Sequence, residues 1–427
     1  MVAVFFMLMS GAFVPVTSQI TNTWTDVTPP GVDKLTDYGT ESIVVDPMKP
    51  SDLYTMFMLQ GIYKSTDYGK TWFGPINTGV NGSKMPGGGG LSIASNGLGN
   101  PPIIYVANIR DPGVGFWRSM DGGVNWEHYN IDPAPPGRQD VYPPAVDPYD
   151  SKHLLIEGHE YDGLFESFNG GESWSKVTLS GSMSSNGGTS WIFFINTGNA
   201  ATTRKTFLFI AQQNAGTWRT SDGGVTWTKV DNNCHLHGTS QIYQVGNGVI
   251  YMAGVYSALG WGVLRSTDYG QTWTSHVGMT GQQNCAFGTP NRVYSLNGWA
   301  CKNCDIDPSF QSAPQPGISG WVSHPTPAGM RNGGTAAVAV TYDGSHYIFV
   351  SAQWLSGLWR YVEDPLASAG VIAGKRKASF TPMRKAFGLD SESQRAMVGG
   401  KVSIYAINAK RINVDKAAKQ IIIVKER

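Results

Sequence analysis

Short apolar runs alternate with polar turns along most of this chain, and their lengths predict strands rather than helices. Such runs occupy residues 42–46, 53–58, 62–64, 103–107, 116–118, 154–157, 164–166, 191–195, 206–211, 217–219, 241–245, 249–254 and 263–265. Further along, 292–296, 320–323, 336–342, 347–352 and 358–361 continue the series. Most are too short for a helix to bury a face, and Gly, Asp and Asn punctuate them.

The turns carry a repeat. Five segments fit Ser/Thr-x-Asp/Asn-x-Gly-x-x-Trp: Ser65-Thr-Asp67-Tyr-Gly69-Lys-Thr-Trp72, Ser119-Met-Asp121-Gly-Gly123-Val-Asn-Trp126, Ser167-Phe-Asn169-Gly-Gly171-Glu-Ser-Trp174, Thr220-Ser-Asp222-Gly-Gly224-Val-Thr-Trp227 and Ser266-Thr-Asp268-Tyr-Gly270-Gln-Thr-Trp273. Their first residues are 54, 48, 53 and 46 positions apart, a period that suits one four-stranded propeller blade. The acidic residue can accept hydrogen bonds from nearby backbone N–H groups, Gly permits positive φ, and Trp fills the space between blades. One chemistry would not need five copies, so Asp67, Asp121, Asn169, Asp222 and Asp268 are read as structural.

This box resembles the Asp box, or BNR repeat, of sialidases, xyloglucan-hydrolysing propellers, sortilin-type receptors and photosystem assembly factors. The resemblance implies an all-β, seven-bladed β-propeller over residues 19–364. It says little about activity, since the box serves enzymes and non-enzymes alike. Five blades end on a box; the sixth is degenerate around a long insert, and the seventh lacks a box and an outer strand. Thr23-Trp24-Thr25-Asp26-Val27 looks like the strand that follows each box, and is expected to complete the last blade and close the ring.

Outside the propeller, residues 1–18 read as a signal peptide: 2–9 are apolar, and Gly11, Ala12, Thr17 and Ser18 are small. A buried N-terminal strand is the alternative. Residues 365–427 read as a basic linker followed by strands at 401–408 and 420–424, a stretch similar to the C-terminal sorting segments of some Gram-negative secreted proteins. A frayed tail is the alternative there. With 32 Lys and Arg against 31 Asp and Glu, nothing favours capture of nucleic acid or an anionic membrane. A secreted monomer without cofactor or metal is expected. The four cysteines then suggest disulfides, Cys234 with Cys285 and Cys301 with Cys304, with a four-thiolate zinc site as the rival reading, for which only Cys301 and Cys304 have the local spacing.

Chemistry is expected on the face opposite the boxes, around the central opening. The loops there supply Asp37, Glu41, Asp140, His159, Glu160 and His237 as candidate catalytic groups. Asp37 or Glu41 facing Asp140 or Glu160 would make the carboxylate pair that glycoside hydrolysis uses. His235 and His237 fall on one side of a strand and, with His159, could serve as acid/base groups or ligate a metal. Arg110, Arg138, Tyr161, Tyr256, Trp261, Arg331 and Trp354 are the candidates for binding a polysaccharide substrate. The expectation is a secreted enzyme that cleaves glycosidic bonds, by hydrolysis in preference to elimination. A lyase would draw on His159, His237, Tyr161 and Arg138, and a non-catalytic glycan- or protein-binding propeller is the other class. Known catalytic sets do not transfer. No sialidase-type Arg-Ile-Pro start is present, and the acid of the Thr-Asp-Val-Gly-Gly-like motif of xyloglucan-hydrolysing propellers is missing from Met58-Leu-Gln60-Gly61-Ile62.

Overall fold

Apolar runs this short must pair with their neighbours to satisfy their backbones, and the chain does so strand by strand. The computed structural model describes residues 21–364, except 86, 180–182, 184–190, 212–215, 233–240, 247, 258–259, 276–284, 297–308 and 331–333, together with 404–405 and 411–412. After β1 (Trp24–Asp26), blade one comprises β2 (Thr40–Val45), β3 (Leu53–Phe57) and β4 (Gly61–Ser65), with a lone bridge from Lys64 to Phe73 where a fourth strand was expected. Blade two is β5 (Gly89–Ala94), β6 (Ile103–Asn108), β7 (Gly115–Ser119) and β8 (Glu127–Tyr129); blade three is β9 (Ala145–Asp147), β10 (Asp150–Glu157), β11 (Leu164–Ser167) and β12 (Ser175–Val177). Blade four is β13 (Trp191–Phe194), β14 (Phe207–Ala211), β15 (Gly216–Thr220) and β16 (Thr228–Asp231), with the short helix α1 (Ala200–Thr203) between its first two strands. Blade five is β17 (Ile242–Val245), β18 (Val249–Ser257), β19 (Gly260–Ser266) and β20 (Thr274–Ser275). Blade six is β21 (Cys285–Thr289), β22 (Arg292–Leu296), β23 (Phe310–Pro314) and β24 (Val322–His324). Blade seven is β25 (Thr335–Tyr342), β26 (Tyr347–Gln353) and β27 (Gly357–Val362). Its outer edge is covered by β1, with Trp24 opposite Tyr361, Thr25 opposite Arg360 and Asp26 opposite Trp359. The molecule is thus an all-β, seven-bladed propeller.

A further pair, β28 (Ile404–Tyr405) and β29 (Arg411–Ile412), forms a two-stranded sheet of its own. The first lies within the strand expected at 401–408. The second falls between the two expected strands, and 420–424 lie outside the described residues, as do 1–18. Among the described residues no helix is long and apolar enough to cross a membrane.

The box turns hold the blades in shape. In the first, Ser65 Oγ donates to Asp67 Oδ1 (2.9 Å) and accepts from Gly69 N (2.9 Å). Asp67 Oδ1 then accepts from Lys70 N and Thr71 N, and Oδ2 from the Thr71 hydroxyl (2.6 Å). Asp121, Asn169, Asp222 and Asp268 are held within their turns in the same manner. Hydrogen bonding to the charged form brings the Asp222 carboxyl down to about 2. All of these side chains face their own turns, which fits the structural reading.

Each box tryptophan packs between its own blade and the one before. Trp72 joins a core with Val350 and Leu358, Trp126 one with Tyr54 and Ile104, and Trp273 one with Leu208 and Leu264. Trp174 and Trp227 lie against the two cores between. The box glycine makes the same approach. A Cβ on Gly171, at φ +90°, would lie 2.0 Å from Phe116 Cε1 of blade two. Gly171→Ala should therefore lose about 2–4 kcal/mol in urea unfolding, from backbone strain and overpacking together. Gly137→Ala, at φ +77° with nothing within 4 Å, isolates the strain and should lose only about 1 kcal/mol. Equal losses would remove the inter-blade contact from the explanation.

A second device ties neighbouring blades. The residue just before the box serine in blade two, Arg118, donates to Asn169 O and Gly170 O in the box of blade three. Arg219 of blade four donates to Tyr269 O in blade five (2.8 Å), and Arg360 of blade seven to Tyr68 O in blade one (2.9 Å). Each arginine thus satisfies turn carbonyls that would otherwise face a low-dielectric seam.

Candidate active site

Antiparallel pairing puts the box turns and the links between first and second strands at one end of every blade. The loops between second and third strands, and those from blade to blade, lie at the other end. Two clusters of predicted residues form there.

The first joins blades seven, one and two. Asp37, at φ +55°, accepts from Arg110 Nη1 at 2.9 Å. The Arg110 guanidinium lies 4.7 Å over the Tyr38 ring, whose edge meets Trp354 at 4.8 Å. Backbone bonds fasten the loops together: Leu355 N to Tyr38 O, Met58 N to Gly39 O, and Leu59 N to Gly87 O. Glu41 sits where the β2–β3 register shifts between Thr40 and Ser42, so it is the extra residue of a β-bulge. Bulges re-aim side chains, and this one buries Glu41 to 6% exposure. Burial pushes its carboxyl up to about 8; Arg110 opposes that shift and Asp37 adds to it. Glu41 therefore carries its proton at neutral pH.

The second cluster lies between blades two and three. Arg138 grips Asp140 with Nε (2.9 Å) and Nη2 (3.0 Å), and the same Nη2 donates to His159 O at 2.6 Å. His159 Nδ1 lies 3.2 Å from Asp140 Oδ2, and its Nε2 is on the far side of the ring. Glu160, at φ +55° and largely exposed, lies 4.0 Å from that Nε2. The loop is pinned by His159 N to Asp140 O (3.0 Å) and by a bridge between Val141 and Gly158.

Tyr142 connects the clusters. It is 9% exposed, with its ring between His159 and Trp191. Burial raises its hydroxyl far above the ordinary range, and Glu41, Glu157, Glu160 and Asp140 all push in the same direction. One buried phenol thus senses carboxylates from blade one and from blade three. Glu157, 2% exposed at the end of β10, opens the polar loop of His159, Glu160 and Tyr161 and had no role assigned to it. Its signal in the sequence was an acid closing the apolar run Leu154-Leu155-Ile156.

Two expected sugar-stacking residues have a different placement. Trp354 is 6% exposed within the core shared by blades seven and one. Tyr161 is 8% exposed, with the Arg138 guanidinium 4.6 Å over its ring. Both rings are packing residues here, because the loops over them are tied down. Arg110 and Arg138 each grip their own carboxylate rather than standing open together. His237, Arg331, Cys234, Cys301 and Cys304 lie outside the described residues, as do the side chains of Tyr256 and Trp261. Cys285 is a buried free thiol, its Sγ 3.7 Å from Ala336 O, so the bridge expected with Cys234 has one end outside the described residues. No group of three or more metal-ligating side chains occurs among the described residues.

No family model matches the chain. Among curated proteins, it is 28% identical over 213 residues to xyloglucanase Xgh74A of Acetivibrio thermocellus, covering 47% of this chain and 20% of that protein. A xyloglucanase of Paenibacillus sp is 24% identical over 212 residues, again covering 20% of its length. The chain thus matches about a fifth of the length of these relatives. Among solved structures, the GH74 xyloglucanase from Xanthomonas campestris superposes with a TM-score of 0.55 at 16% identity, covering 80% of this chain and 56% of that one. YCF48 from Cyanidioschyzon merolae gives 0.50 at 14% identity, covering 80% of this chain and 98% of that one. In fold, the chain is a seven-bladed β-propeller similar to these proteins.

Proposed function

We propose that the chain is an extracellular glycoside hydrolase that cleaves a polysaccharide in the mouth formed by blades one to three. The carrying observation is Glu41, a buried carboxyl whose pKa of about 8 keeps it protonated at neutral pH. A carboxyl in that state is suited to donate its proton to a departing glycosidic oxygen. Asp140 is the partner carboxylate, oriented by two hydrogen bonds from Arg138 and one from His159. As the charged group, it would activate water or stabilise positive charge at the anomeric carbon. The similarity to xyloglucanases supports a β-glucan backbone as the first substrate to try. Asp37 is held by Arg110 and acts on Glu41 as a neighbouring charge. His237, Arg331, Tyr256 and Trp261 remain candidates for the rest of the mouth.

One observation favours a binding propeller instead. The Gln60 side chain is engaged with the backbone of Asp33, accepting from its N–H and donating to its carbonyl, both at 2.8 Å. The second-to-third-strand loop of blade one therefore offers a structural amide where xyloglucan-hydrolysing propellers carry an acid. A panel of xyloglucan, mixed-linkage glucan and pectic polysaccharides separates these readings. The expected result is new reducing ends from a neutral glucan without unsaturated products. Unsaturated products would indicate a lyase, and binding without cleavage anywhere on the panel would leave the binding propeller.

A further inference from the structure

Blade three breaks the arginine pattern. Where blades two, four and seven place an arginine before the third-strand end, blade three has Glu166. Glu166 turns inward: its Oε1 lies 2.9 Å from His153 Nε2, while His153 Nδ1 lies 2.9 Å from Asp147 Oδ2. Burial works against a charge on His153, but the two carboxylates outweigh it and raise its pKa. With no arginine reaching forward, the seam between blades three and four is open. A groove of about 540 Å³ lies there, lined by Glu166, Phe168, Arg204, Lys205, Asp222 and Gly223. It is on the box-turn end, away from the mouth.

The charges in this groove are unevenly committed. Glu166 is engaged by His153, and Asp222 by Thr220 and Thr226. Arg204 and Lys205 are exposed, and neither forms a carboxylate ion pair among the described residues. Arg204 is positioned by Phe168, whose ring it covers at 5.5 Å while His153 stacks against that ring at 4.6 Å. We infer that this groove is a second binding site, which takes a carboxylate-bearing sugar such as a uronate residue. Arg204 and Lys205 meet the carboxylate. The Glu166 and Asp222 oxygens accept from ring hydroxyls, and the exposed edge of Phe168 meets the sugar's C–H face. The same two acids disfavour two charges on one small anion, so a uronate residue, with a single charge and several hydroxyls, fits better than phosphate.

The test is calorimetric titration of the full chain with trigalacturonate, galactotriose and inorganic phosphate. Trigalacturonate should bind, more weakly as salt rises, with galactotriose and phosphate each at least about tenfold weaker. Arg204→Ala with Lys205→Ala should weaken trigalacturonate at least about tenfold, while Arg204→Lys with Lys205→Arg should restore most of it. The mouth variant Asp140→Asn should bind normally, whatever becomes of the hydrolase reading. Unchanged binding in the double alanine variant, equal binding of galactotriose or phosphate, or loss of binding in Asp140→Asn would each overturn the inference.

Discussion

Glu41→Gln should reduce hydrolysis by about 10²–10⁴-fold, the contribution of a positioned general acid, and should do so without unfolding the protein. Glutamine keeps the shape of the protonated carboxyl but has no proton to give. In the wild type, activity should fall as pH rises through about 8, and residual activity in the variant should lack that limb. Stability supplies an independent reading with an unusual sign. The Glu41 pKa is raised in the folded state from 4.5, so between pH 4.5 and about 8 the folded state holds a proton that the unfolded state has lost. Stability therefore falls as pH rises across that window, by up to about 5 kcal/mol from this group. Glu363, raised to about 7 by burial, adds a similar slope, so the comparison is wild type minus Glu41→Gln. The difference should favour the variant at pH 9 and shrink towards pH 5 in thermal melts. Asp140→Asn should also lose at least about 10²-fold in activity, since it removes the charge that Arg138 and His159 orient. Full activity in either variant would remove that residue from the reaction.

Trp24→Ala should destabilise the protein by about 3–5 kcal/mol, as large a loss as any single truncation here. Trp24 is 3% exposed, with Phe310 of blade six and Tyr361 of blade seven both 5.2 Å from its ring. Its removal opens a cavity in the aromatic core where β1 covers β27, and bares an edge strand. Denaturant unfolding measures the loss, and light scattering should show more self-association. A loss below about 1 kcal/mol would mean that β1 contributes little to the ring.

Much of this fold could be read from the chain because one turn repeats with its tryptophan at fixed offset. The strands flanking each box followed directly, and Thr23–Val27 was recognisable because it matches the strand after Trp227. The inner strands were harder. β5 begins on Gly89-Gly90 and β9 follows Pro143-Pro144, so composition reads both as loop, and only packing against neighbouring inner strands makes them strands. β23 was hidden beside the long cysteine-bearing insert. At the site, loop topology put Asp37, Arg110, Asp140 and His159 at one end of the blades, but nothing local announced that Asp37 would pair with Arg110 or Asp140 with His159. Glu41's burial was not legible either, because it depends on a register shift that no local pattern announces. Two of the three arginine ties did leave a signal, a cation just before the box serine or threonine at Arg118 and Arg219. It reads as an ordinary polar strand position until the next blade is in place.

The sheet that joins β1 to β27 also sets an order on how this protein is made. Six blades can pair as they leave the ribosome, each against strands already synthesised. The strand β1 cannot, since its partners are made last: the hydrogen bond from Leu358 N to the Thr28 hydroxyl spans 330 positions. Until then, Trp24 on β1 waits uncovered through nearly the whole of translation. The entropy of so long a closure is modest, about 2 kcal/mol more than for a loop of blade length. Delay rather than thermodynamics is therefore the hazard, and a holdase on the nascent chain would do more for yield than any added contact in the finished ring.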